Sequence, residues 1–85
     1  MIQIQDLLAV IGEIKGVWRE KQLEFILDNQ TLKFEKGALI RGSYFNESKS
    51  IIIYGATITD RNDLKEVILH EIGHHLNLDH KDIRH

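Results

Sequence analysis

The 85-residue chain contains no cysteine and no proline. Without cysteine no disulfide can staple it, which fits a reducing, cytoplasmic setting. The lack of proline selects no function. No apolar run approaches the length of a membrane span, and no signal-peptide pattern is visible, so no membrane partner is expected. A strong charge of one sign is missing too. Eleven basic against 13 acidic residues leave a net charge of −2. No broad positive surface is implied, and nucleic acid is not an expected partner. Histidine is absent from the first 69 residues, and all five histidines fall between 70 and 85.

At this length the chain reads as one domain, residues 1–85. So small a domain buries only about 60–65% of its unfolded surface, so its core is thin. Something other than a disulfide has to tie its end down. A bound metal ion is the expected staple.

His70-Glu71-Ile72-Gly73-His74 reads H-E-x-x-H, and His80 follows six residues later. Histidines four apart stack on one face of a helix, one turn above the other. Both imidazoles can then reach one metal ion. Glu71 lies beside that ion without being forced to ligate it, and can take a proton from a metal-bound water. The context supports a helix from Asp63 to Leu76. Leu64, Ile68, Leu69, Ile72 and Leu76 recur as a buried stripe. Gly73 costs about 1 kcal/mol inside a helix relative to alanine, which points to close approach of another backbone. For His80 to serve, the helix must end near Leu76, since a continuous helix carries residue 80 about 9 Å further along the axis. Asn77 suits that exit because asparagine tolerates the left-handed conformation. The expected ligand set is therefore His70, His74 and His80 around one Zn²⁺, open at a fourth position, with Glu71 as general base. Asp79 is the next candidate for third ligand, ahead of Asp82 and His85. His75 points some 100° away and reads as a packing or surface residue. The bland alternative is a polar helix end, where His⁺ is favourable, or a nonspecific metal scavenger.

The run from His70 to His80 resembles the metzincin zinc-binding pattern H-E-x-x-H-x-x-G-x-x-H/D, with Asn77 in place of its glycine. Gly73 to His80 is similar to matrixin-type metallopeptidases. Met1 is the only methionine, so no Met-turn follows the motif. Over about residues 42–83 the chain resembles the small bacterial and archaeal minimal zincin-like metallopeptidases. There, an I-x-I-Y strand such as Ser50-Ile51-Ile52-Ile53-Tyr54 precedes the motif helix. The resemblance implies peptide-bond hydrolysis by metal-activated water, with His70, His74 and His80 as zinc ligands and Glu71 as base. It also implies an extended peptide or protein substrate along a sheet edge, with Arg41-Gly42-Ser43-Tyr44 as the rim. Tyr44 is then a candidate hydrogen-bond donor to the oxyanion, against an ordinary half-buried strand aromatic. Arg41 and Arg61 read as solvated charges. Two alternatives stand beside the peptidase. One is a zincin-fold module that binds zinc without turnover, favoured by the small size. The other is a zinc-dependent endoribonuclease, whose ribosomal-RNA-maturing members end their motif in Asp-His, as Asp79-His80 does, but have glycine where Glu71 stands. Gluzincins are disfavoured because no glutamate follows Glu71.

The rest of the chain predicts a scaffold. Ile4, Leu7, Leu8, Ile11 and Ile14 recur at helical spacing over 3–15, and Gly16 is a reasonable stop. Residues 17–28 suit either a helix or a strand. Asp28-Asn29-Gln30 signals a turn, 31–35 a strand, and Lys36-Gly37 a turn. Residues 38–45 and 50–54 read as a hairpin closed by 46–49. Thr59 or Asp60 is a candidate N-cap for the metal helix. The expected fold is α+β, a zincin-like minimal domain: an N-terminal helix, a small mostly antiparallel sheet, and a C-terminal metal-binding helix on that sheet.

Overall fold

Each short polar break in the sequence closes a turn in the computed structural model, which describes residues 1–18 and 23–75. Asp28 Oδ1 accepts hydrogen bonds from the amides of Gln30 and Thr31, an Asx-turn that ends the first strand. Lys36 and Gly37 take φ of 52° and 80°. Two successive positive φ values make the tight turn whose twist suits a two-residue hairpin. Asp60 Oδ1 accepts from the amide of Asp63 at 2.9 Å, so Asp60 caps the motif helix. The Asp63 carboxylate in turn accepts from the Thr59 amide at 3.3 Å.

Between these turns lie helix α1 (Ile4–Trp18), strands β1 (Glu24–Asp28), β2 (Lys33–Glu35), β3 (Ala38–Ile40), β4 (Gly42–Phe45) and β5 (Ser50–Tyr54), a 3-10 turn (Gly55–Thr57) and helix α2 (Arg61–His75). The described residues form a small α+β domain with two α-helices and mostly antiparallel strand pairing. β5 is central, with β1 parallel on one side and β4 antiparallel on the other, while β2 and β3 pair separately. Among the described residues no helix is long and apolar enough to cross a membrane.

Two sequence expectations are corrected and one open reading is resolved. α1 runs past Gly16 to Trp18. The strand expected over 38–45 breaks at Arg41, so its first half pairs with β2 and its second with β5. The ambiguous stretch divides, with helix to Trp18 and strand from Glu24. The helix stripes also shift. Leu7, Val10 and Ile14 are buried on α1, whereas Ile4 and Leu8 are exposed; on α2, Leu64, Ile68 and Ile72 are buried and Leu69 is exposed.

The core lies between one sheet face and the two helices. Ile51 and Ile53 of β5, each fully buried, meet Leu7, Val10 and Ile14 of α1 and Leu64, Val67, Ile68 and Ile72 of α2. Phe25, Leu27 and Tyr44, on the same face by register, flank them. Ion pairs Arg61–Asp6 at 2.7 Å and Lys65–Glu13 at 3.4 Å join the helices. Both are solvent-accessible, so each contributes little to stability.

Candidate functional site

α2 carries the motif, and helical geometry decides what each motif residue faces. Setting His70 at zero and stepping about 100° per residue places His74 at about 40°, Glu71 at about 100° and Leu69 at about 260°. On the same wheel Val67, Leu64, Ile68 and Ile72 occupy roughly 60° to 200°, and all four are buried. Glu71 therefore points into the buried sector, whereas the two histidines lie on its margin. Leu69 falls outside it, which explains its exposure.

The His70 and His74 rings are half-buried neighbours, with centroids 5.2 Å apart and planes inclined by 75°. Nε2 of each ring and Oε1 of Glu71 are buried atoms. Glu71 itself is only 2% exposed. Burial raises its carboxyl from 4.5 to about 7, and the negative charge of Glu35 on β2 adds to that rise.

β4 closes the roof over Glu71. A Cβ built on Gly42 would lie 2.8 Å from Val67 Cγ1 and 3.4 Å from Glu71 Cγ. The strand backbone therefore rests directly on the helix here. Arg41, just before Gly42, pairs with Asp63 in the first turn of α2. Arg41 and Arg61 are thus ion-paired rather than free solvated charges, although both side chains stay about half exposed. Tyr44 packs against the core, and its hydroxyl donates to Asn46 Oδ1 at 3.4 Å in the β4–β5 turn. That is the behaviour of a half-buried strand aromatic.

Two imidazoles on one tetrahedral zinc, with metal–nitrogen bonds near 2.1 Å, have ring centres about 5 Å apart. The His70–His74 spacing fits that requirement, and imidazole is a zinc ligand by chemistry. Among the described residues no three His, Asp or Glu side chains form a metal-holding group. His80, the expected third ligand, lies outside the described residues, as do Asn77, Asp79, Asp82 and His85. Buried Gly73 lies in α2 beside His74.

Gly42 and Glu35 were not picked out from the sequence as neighbours of Glu71. Gly42 carried a weak signal, being a glycine within an otherwise strand-like stretch, which often marks close backbone approach. Glu35 carried none, as it is an exposed glutamate on a short strand. A cavity of about 330 Å³, lined by Leu23, Glu24, Ser48 and Lys49, contains no residue of the motif. Set against models of protein families, curated proteins and solved structures, the chain matches none of them.

Proposed function

We propose that this chain is a minimal zincin-like zinc metallopeptidase that hydrolyses peptide bonds. The observation that carries the reading is the His70–His74 pair, 5.2 Å between ring centres, with the carboxylate of Glu71 buried beside it under β4. A polar helix end does not require a glutamate in the buried sector: burying an ionisable group costs free energy, and carboxyls perturbed in this way cluster at functional sites. His70 and His74 hold the ion, and His80 completes the ligand set from the tail. Zinc, when bound, supplies Lewis-acid chemistry: it acidifies a water and polarises a carbonyl oxygen.

Glu71 does the proton work. Its carboxylate accepts the proton that the attacking water loses as oxygen bonds to the carbonyl carbon. It returns that proton to the amine nitrogen as the C–N bond breaks. Burial moves the carboxyl towards neutrality, where a group can both take and give a proton, while the charge of a nearby cation pulls in the opposite direction.

The outer edge of β4 offers the backbone for an extended substrate. The Tyr54 amide donates to the Arg41 carbonyl at 2.9 Å, so Arg41 faces β5. Alternation along an antiparallel strand then turns Gly42 and Tyr44 backbone groups outward. These pair with the peptide main chain, and side-chain specificity is left to the surrounding rim.

Cleavage of a mixed peptide library, followed by mass spectrometry, tests this. Zinc-loaded protein should give products, and Glu71→Gln should keep zinc and fold yet lose hydrolysis by roughly 10²-fold or more. Cleavage of a structured RNA with peptides left intact would transfer the chain to the endoribonuclease reading. The second reading is a zinc-binding module without turnover. Zinc-loaded protein that turns over neither substrate would select it.

A further inference from the structure

We infer that Gly42 is a positioning residue for Glu71, setting the distance between β4 and α2 and so the placement of the carboxylate. The inference rests on Glu71 being the general base. Gly42 is buried, pairs with Ile53 on the core side of β5, and meets α2 where Val67 and Glu71 face the strand. The three atoms nearest a Cβ at this position are Val67 Cγ1 at 2.8 Å, the Ile52 carbonyl oxygen at 3.3 Å and Glu71 Cγ at 3.4 Å. Two of these cannot give way easily. Ile52 oxygen is backbone in the central strand. Val67 is β-branched in a helix, where one χ1 rotamer dominates. A methyl group at position 42 therefore lifts the strand from the helix. The contact over Glu71 opens, water reaches a carboxylate now 2% exposed, and its side chain gains freedom. Neither histidine is among the three atoms nearest that methyl. Nothing about this requires an unusual backbone, because Gly42 has no positive φ. The requirement is space alone.

The test compares Gly42→Ala with Gly42→Ala/Val67→Ala, which removes the 2.8 Å clash and lets the strand settle back. Three quantities are read: zinc affinity by chelator competition, the contact between the position-42 Cα and Glu71 Cγ in a crystal structure of each variant, and kcat and KM on the peptide substrate. Gly42→Ala should bind zinc within about 2-fold of the parent, lose the contact, and lose kcat by about 10-fold or more with KM little changed. The double variant should regain both contact and kcat. A role confined to stability would lower the melting temperature without this kcat-against-KM split. If Gly42→Ala alone leaves no folded protein, Gly42→Val in the Val67→Ala background takes its place, its added methyls meeting Glu71 rather than Val67. An unchanged contact and kcat in Gly42→Ala would overturn the inference, as would a contact restored without kcat. If the zinc-loaded parent cleaves no peptide, the peptidase reading fails by itself, and the contact measurement still decides whether Gly42 places Glu71.

Discussion

The His70 and His74 rings meet edge towards face, 5.2 Å between centroids, one helical turn apart at the margin of the buried face of α2. That geometry makes a metal stoichiometry the first thing to measure. Protein purified without a histidine tag should carry about one zinc per chain. His74→Ala should abolish tight binding, and His80→Ala should weaken it. Unchanged affinity in His80→Ala would pass the third-ligand role to Asp79.

Zinc should also stabilise the fold. In the proposed site, zinc bound by His70, His74 and His80 would close the chain upon itself, and without cysteine no disulfide can do so. With free zinc at 100 to 1,000 times the dissociation constant, linkage stabilises by about 3–4 kcal/mol. The unfolding midpoint should fall in excess chelator and recover on adding zinc. A melting curve indifferent to chelator would remove zinc from the stability of this domain.

In metal-free protein the buried carboxyl of Glu71 should make stability fall as pH rises. Its folded value, about 7, exceeds the ordinary 4.5. Below pH 4.5 the group is protonated in both states and costs nothing; from there to about 7 the unfolded chain ionises first, and stability is lost. Above that range the loss is complete, at most about 3 kcal/mol. Glu71→Gln should match the parent near pH 4 and exceed it at pH 8, in urea denaturation with chelator present. Comparing the two proteins isolates the contribution of Glu71. Parallel stability curves would show that burial does not perturb Glu71.

Gly55 should tolerate no side chain. A Cβ there would overlap Asn29 Oδ1 and lie 3.1 Å from Leu27 Cδ1. Asn29 Nδ2 donates to the Ile2 carbonyl at 2.8 Å and ties the end of β1 to the chain entering α1. Its Oδ1, buried without a conventional partner, rests against the glycine, where only a Cα–H can meet it. Gly55→Ala should destabilise by about 1–3 kcal/mol through displacement of Asn29 and loss of that hydrogen bond. Asn29→Ala in the same background should recover part of the loss. A neutral Gly55→Ala would mean that this loop adjusts freely.

What the sequence determined by itself was local. H-E-x-x-H spacing sets two imidazoles on one helical face, whatever surrounds them. Lys36-Gly37 and Asp60 carry their turn and cap in their own backbone and side-chain chemistry, so they could be read before any fold was known. What only the tertiary structure decided was which side each element turns towards its neighbours. Leu8 and Leu69 satisfied a helical stripe, yet both are exposed, because the partner face is set by where the sheet lies. The run 38–45 read as one strand, but Arg41 divides it between two pairings, since register depends on strands distant in sequence. Gly42 against Glu71 and Glu35 near it follow from that division. Burial of the motif glutamate was therefore written in no single segment: it arises where a strand break, a missing side chain and the buried sector of a helix coincide, and only the folded chain brings them together.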